Sequence, residues 1–319
     1  MKAAFLDFGT MGPDELDMTS LRAAVGELTL FENTAADELS ARIAGCEFAL
    51  INKVQMTREI IESADALRFI GLTATGVDNV DLQAARDNNI AVCNIRGYCT
   101  RSVVDHVFAA LLQTTRSLNH YRDSVRRGEW QDASNFCMLQ FPVRELSAMT
   151  IGVVGYGELG KGVATVAKAF GMQVRVARRM GQKAMDGDGR VDLHDLLREC
   201  DVVSLHCPLT EDSRGLIGKR EFELMKSSAV LINTARGGLV DSAALVDALT
   251  RGMIASAVID VLSQEPPVDG DPLLDYQGDN LIVTPHVAWG SIEARQKALD
   301  EVAENVVSYL SGGNRNRVD

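Results

Sequence analysis

Ile151-Gly152-Val153-Val154-Gly155-Tyr156-Gly157-Glu158-Leu159-Gly160 is the stretch whose reading decides the fold. Ile151–Val154 reads as a buried strand, and a helix over Lys161–Phe170 follows the glycines. Gly155 permits a tight turn, Gly157 lets the backbone approach a pyrophosphate, and Gly160 lets helix and strand pack closely. The helix start offers unpaired N–H groups and a partial positive charge to phosphates. A bare glycine triplet of this spacing is often only a turn. Here strand, glycines and helix stand in the order a dinucleotide site requires.

Outward from this motif, short apolar runs alternate with amphipathic stretches, the pattern of parallel α/β sheets. Downstream strands are expected at Thr150–Val154, Gln173–Ala177, Val202–His206, Val230–Asn233, Ser256–Asp260 and Leu281–Thr284. An upstream series reads Ala3–Asp7, Leu28–Phe31, Phe48–Ile51, Phe69–Thr73 and Ala91–Asn94, with helical stretches such as Ala35–Ala44 and Leu82–Asn88 between strands. The upstream series lacks a glycine fingerprint. Two doubly wound parallel-sheet domains follow, the cofactor domain (100–287) inserted between two parts of a substrate domain (1–99 and 288–319). Helices over Ser102–Leu118 and Ser291–Leu310 serve as connectors, and Arg122–Arg144 reads as an irregular polar excursion. No internal repeat interrupts this order.

With 319 residues, 46% of them hydrophobic, the chain has material for two large cores. The net charge of −12 argues against general nucleic-acid or anionic-membrane binding. Local arginines can still hold an anionic substrate at short range. The six cysteines form no CxxC pair and fall largely in apolar runs, where cysteine behaves as a small hydrophobe. No secretory leader precedes the first strand, and no apolar run approaches ~18 residues. A reduced cytoplasmic protein is therefore expected.

At the ends of successive downstream strands stand Arg236, Glu265 and His286. A guanidinium fork suits a bidentate grip on a carboxylate and can polarise an adjacent carbonyl. A lone arginine there is as often a loop cap, and a lone histidine after Pro285 is more often structural. A carboxylate on Glu265, hydrogen-bonded to His286, would favour the imidazolium and fix its tautomer. Together with a dinucleotide, these three provide what hydride transfer to a keto acid needs: the cofactor's hydride, a carboxylate grip and a proton. The five histidines show no metal-ligand spacing, so no metal is expected. The second downstream strand ends in Arg178-Arg179, where an NAD site usually has an acid for the ribose hydroxyls. Two arginines, with Lys183 beyond, would attract a 2′-phosphate, so NADP is expected over NAD. In the first domain, Thr75-Gly76 after a strand can offer amides to an anion or form an ordinary turn. Lys53 ends a strand on the same predicted edge and either assists carboxylate binding or is simply solvated.

The chain resembles the D-isomer-specific 2-hydroxyacid dehydrogenase family over nearly its whole length. The segments that carry the likeness are Thr75–Asp81, Gly155–Gly160, His206-Cys207-Pro208-Leu209-Thr210, Asn233–Asp241, Asp260–Pro267 and Pro285-His286-Val287-Ala288. Within the family it is most similar to the bacterial glycerate dehydrogenases, or hydroxypyruvate reductases, through Asn52-Lys53-Val54, Gly97-Tyr98, Phe136-Cys137 and His286-Val287-Ala288-Trp289. The resemblance implies a Rossmann cofactor domain inserted into a flavodoxin-like substrate domain. It implies Arg236 as carboxylate ligand, His286 as acid/base and Glu265 as its support. Substrate contacts are expected from Lys53, Thr75, Gly76, Arg236 and His286. Cofactor contacts are expected from Thr75, Gly155, Tyr156, Gly157, Glu158, Leu159, Gly160, Arg178, Arg179, His206, Cys207, Pro208, Thr234, Ala235, Arg236, Asp260, His286 and Ala288, with Asp260 at the nicotinamide end. Arg178 departs from the acid of NAD-using members. A small 2-keto or 2-hydroxy acid as substrate and a homodimer through the cofactor domain are also implied. Two alternatives stay open: a dinucleotide-sensing corepressor-like binding protein, and an enzyme like phosphoglycerate dehydrogenase, for which little chain follows Leu310.

Overall fold

Five short β-rich runs build the first sheet: β1 Lys2–Phe5, β2 Glu27–Leu30, β3 Phe48–Ile51, β4 Phe69–Leu72 and β5 Ala91–Cys93. The computed structural model describes residues 1–179, 181–182 and 189–319. Two compact units divide the chain, Met1–Cys99 with Gly290–Asp319, and Thr100–Trp289. In the first unit the strand order is β2-β1-β3-β4-β5, all pairs parallel. Such an order reverses between β1 and β3, and there Asp7 accepts the Asn52 and Val54 amides at 2.9 and 3.0 Å. β3 and β4 are wholly buried, as expected for central strands of a sheet covered on both faces. Helices α1 Thr19–Val25, α2 Leu39–Ile43, α3 Arg58–Glu62 and α4 Leu82–Asp87 connect the strands.

The second unit opens with α5 Thr100–Thr115 and α6 Leu118–Arg126. Its sheet comprises, among the described residues, β6 Thr150–Val154, β7 Gln173–Ala177, β8 Arg190–Val191, β9 Val202–Leu205, β10 Val230–Asn233, β11 Ser256–Ile259 and β12 Leu281–Val283. The order is β12-β11-β10-β9-β6-β7-β8, all parallel, with its reversal between β6 and β9. α7 Glu158–Ala169, α8 Leu193–Glu199, α9 Lys219–Leu224, α10 Ser242–Thr250 and α11 Pro272–Asp275 cross between strands. α12 Ile292–Leu310, capped by the Ser291 hydroxyl, returns to the first unit and packs on α1 and β4. Among the described residues no helix is long and apolar enough to cross a membrane.

Two helix expectations and one expectation of irregular chain need correction. The stretch expected as a helix over Ala35–Ala44 is a 3₁₀ turn, Ala36–Glu38, running into the short α2. The helix expected over Ser102–Leu118 stops at Thr115 because the Thr115 carbonyl takes the Arg144 amide at 2.9 Å. Ser117 then adopts φ 50, its hydroxyl donating to the Pro142 carbonyl at 2.6 Å. α6 starts one residue later and runs into the segment expected to be irregular from Arg122. Its exposed Leu118 and Val125 leave little apolar periodicity to read.

Candidate active site

The glycine loop shows why each glycine stands where it does. Gly155 has φ +95, and a Cβ there would lie 2.5 Å from the Cys207 amide nitrogen on the neighbouring strand end. A Cβ on Gly160 would lie 2.0 Å from the Gly155 carbonyl oxygen. At Gly157 a Cβ would meet nothing within 4 Å, so this face of the loop is open. No side chain caps α7 at Gly157, which leaves its first amides available to an anion. Tyr156, Gly157, Glu158 and Leu159 are partly or fully exposed, and Glu158 accepts the Thr100 hydroxyl at 2.6 Å. The loop lies where the strand order reverses, the crevice in which open α/β sheets bind ligands.

Across the reversal, β9 ends in His206-Cys207-Pro208. The Nε2 of His206 lies 2.8 Å from the Ser204 hydroxyl, and its buried Nδ1 has no hydrogen-bond partner. Burial pushes the His206 imidazole down to about 4, so it is neutral at neutral pH. Burial also raises the Cys207 thiol. At the end of β10, Asn233 shapes the following turn: its Oδ1 accepts the Ala235 amide and its Nδ2 donates to the Arg236 carbonyl. Thr234, 8% exposed, has a buried hydroxyl without a partner. Two orphaned polar atoms beside an open glycine loop fit a polar ligand such as a dinucleotide.

Arg178 follows β7. Its amide donates to Val191 at 2.7 Å and its Nη2 to the Arg190 carbonyl at 3.0 Å, tying it to β8. Its Nε is buried without a partner. Arg179 is exposed. Lys183 lies outside the described residues.

On the other side of the reversal, the ends of β10, β11 and β12 lie in succession along one edge. Arg236 stands after β10, half-buried, with Nη1 donating to the Ala235 carbonyl at 2.8 Å. A Cβ on the next residue, Gly237, would lie 2.0 Å from the Leu262 carbonyl carbon, so Gly237 lets this turn press against the loop that carries Glu265. Glu265 uses both carboxylate oxygens. Oε1 accepts the Leu262 amide at 2.8 Å, and Oε2 meets Nδ1 of His286 at 2.6 Å. An ionised carboxylate only accepts, so Nδ1 carries hydrogen and Nε2 is the remaining proton-transfer atom. His286 has φ 55, a left-handed conformation that few side chains adopt. Asp260 is 1% exposed and receives the Val287 amide on Oδ1 and the Ala288 amide on Oδ2, both at 2.9 Å. Nothing in the sequence assigns a role to Thr284, yet its hydroxyl donates to Asp260 at 2.6 Å. Its position at a strand end, two residues before His286, was the available signal.

In the first unit, Lys53 and Thr75-Gly76 follow the parallel neighbours β3 and β4 and share one sheet edge. Thr75 is pinned from both sides, its hydroxyl donating to Ile95 at 2.8 Å and its carbonyl accepting from Asn94 at 2.7 Å.

Residues 108–288 match the family D-isomer specific 2-hydroxyacid dehydrogenase, NAD binding domain. The chain belongs to the D-isomer specific 2-hydroxyacid dehydrogenases. Among relatives in this dehydrogenase family, the glycerate dehydrogenase of Methylorubrum extorquens is 42% identical over 311 residues, covering 95% of this chain and 98% of that protein. The hydroxypyruvate reductase of Blautia hydrogenotrophica is 34% identical over 324 residues, covering 100% of both. An acyclic imino acid reductase solved in complex with NADPH and D-Arg superposes with a TM-score of 0.86 at 30% identity, covering 100% of each chain. The two-sheet α/β architecture is thus that of a D-2-hydroxyacid dehydrogenase, and the matched NAD binding domain contains the second sheet with its glycine loop.

Proposed function

We propose that this dehydrogenase reduces short 2-keto acids, hydroxypyruvate and glyoxylate foremost, to D-glycerate and glycolate, reversibly and with NADPH preferred to NADH. The observation that carries the reading is the 2.6 Å contact between His286 Nδ1 and Glu265, with Arg236 on the same edge of the sheet that bears the glycine loop. The likeness to a glycerate dehydrogenase and a hydroxypyruvate reductase supports the substrate class. A bound nicotinamide supplies the hydride. Gly157 and the uncapped start of α7 hold the pyrophosphate, and Thr234, His206 and Asp260 border the rest of the cofactor. Arg236 grips the substrate carboxylate and polarises the keto group; Lys53 and Thr75-Gly76 are further substrate contacts. His286, protonated, donates from Nε2 to the oxygen as it becomes an alkoxide, while Glu265 holds the ring and balances its charge. A homodimer through the second unit and a cytoplasmic setting complete the reading.

Cofactor choice rests on Arg178 and Arg179, with no acid at the end of β7 for a ribose 2′-hydroxyl. A charge-assisted hydrogen bond to a 2′-phosphate contributes roughly 1.5–3 kcal/mol, and ~1.4 kcal/mol is a factor of ten. A panel of keto acids assayed with both cofactors tests substrate and cofactor together. Expected are the highest kcat/KM on hydroxypyruvate or glyoxylate, a preference for NADPH carried by KM, and reversal of that preference in Arg178→Asp. A wild type that favours NADH, or an unchanged ratio in the variant, refutes the cofactor reading.

A further inference from the structure

Four side chains, Thr284, Asp260, His106 and Ser102, hold the turn that carries His286. The hydroxyl of Thr284 donates its proton to Asp260 Oδ1 at 2.6 Å, because an ionised carboxylate can only accept. Its lone pairs then face Nε2 of His106, 3.3 Å away, which must be the donor. The same Nε2 lies 3.9 Å from Asp260 Oδ1. One turn earlier on α5, the Ser102 hydroxyl donates to the Ala288 carbonyl at 2.7 Å. Ser102 and His106 are spaced i, i+4 and so share a face of α5. That face fastens both ends of the segment 284–288.

Between the two fastenings sits His286 with its left-handed backbone. Such a conformation persists in a non-glycine residue only when its surroundings over-determine it. Here the His286 amide donates to the carbonyls of Asp260 and Thr284, at 2.8 and 3.0 Å. The two amides after it are held by the Asp260 carboxylate. The carboxylate is itself aimed by Thr284, and Thr284 by His106. We propose that Thr284 and His106 are positioning residues for His286, acting through the buried Asp260 carboxylate to lock the turn that presents the imidazole. The proposal rests on His286 being the proton donor. Without the Thr284 hydroxyl, the carboxylate loses the contact that orients it, and the turn relaxes toward ordinary backbone angles. A displacement on the order of 1 Å in a reacting group costs about 10²-fold in rate.

Thr284→Val removes the hydroxyl at nearly constant volume, and Thr284→Ser keeps it. His106→Leu removes the donor, and His106→Gln retains an N–H donor. For Thr284→Val and His106→Leu, kcat for keto-acid reduction should fall roughly tenfold to hundredfold while the dissociation constant of NADPH stays within about twofold. The primary isotope effect with 4-deuterated NADPH should rise as the chemical step slows. The serine and glutamine variants should recover most of the rate. Amide hydrogen exchange at Val287 and Ala288, followed by NMR, should quicken in Thr284→Val relative to Thr284→Ser whether or not turnover is measured. Wild-type kcat with unchanged exchange at those amides in Thr284→Val, beside an inactive His286→Gln, overturns this proposal alone. His286→Gln at wild-type turnover overturns the proton-donor reading and this proposal with it. Should Thr284→Val fail to fold, His106→Leu, altered on the helix rather than in the turn, decides by the same kcat and exchange measurements.

Discussion

His286 is one residue on which two kinds of constraint converge: a backbone held at φ 55 and a ring held at Nδ1 by Glu265. The contact at Nδ1 leaves Nε2 as the atom that can move a proton. His286→Gln should therefore lower kcat by ~10²–10⁴, the usual worth of general acid–base catalysis, with cofactor affinity nearly intact. Stopped-flow turnover and cofactor titration by fluorescence check both halves; near-wild-type kcat counts against the role. A second histidine, His206, is kept neutral by burial. Burial holds His206 down to about 4, against 6.5 for an ordinary histidine, so the folded chain refuses a proton that the unfolded chain accepts between those values. Stability must then rise with pH across that window and be lost as pH falls through it. Melting temperatures taken at about pH 7 and about pH 5 should differ less in His206→Gln than in the wild type. Equal slopes would mean that the ring is solvated in the folded state.

Elements meet closely at the glycine loop, and the packing sets how much change it tolerates. β6 and α7 touch at Gly160, where an added methyl would meet the Gly155 carbonyl at 2.0 Å. Backbone on both sides cannot swing aside as a flexible side chain would. Gly160→Ala should cost roughly 1–3 kcal/mol as overpacking and weaken cofactor binding more than it weakens the fold elsewhere. Denaturant midpoints and NADPH titration measure the two effects, and wild-type values for both would exclude the close contact. At the α5–α7 pair the neighbours are side chains instead: a Cβ on Gly162 would lie 3.0 Å from a methyl of Thr100 and one of Val104. The strand–glycine–helix order was legible because every part of it is local in sequence. The break at Ser117 was not, since it depends on Arg144 and Pro142 returning from the far side of a long excursion.

At the scale of the whole molecule, that excursion is where apolar surface lies open. Phe136 is 91% exposed and Leu139 81%, with Leu118, Val125 and Trp130 each more than half exposed. Large contiguous exposed apolar patches are commonly association sites. In line with the proposed dimer, sedimentation velocity should give a dimer for the wild type. Phe136→Ser with Leu139→Ser should shift it toward monomer while the glycine loop continues to bind cofactor. A monomeric wild type at tens of micromolar (about 10⁻⁵ M, where a Kd near 10⁻⁶ M would leave mostly dimer) would remove the proposal.

What the sequence by itself determined is whatever short range can encode. Apolar runs of strand length, interrupted by glycines and followed by helix, produced the two parallel sheets and located the turns bearing Gly155, Arg236 and His286 at strand ends. Residue type together with a place after a downstream strand made Glu265 a candidate partner for His286. Tertiary structure decided the rest. His106 and Thr284 are 178 positions apart, and no pattern within either segment predicts their contact. In the sequence Arg178 reads as a partner for a 2′-phosphate, yet β8 also takes one of its donors through the Arg190 carbonyl. Hydrogen bonds between distant segments carry no local periodicity; they exist only once sheet and helices have packed and left one polar group with one reachable partner.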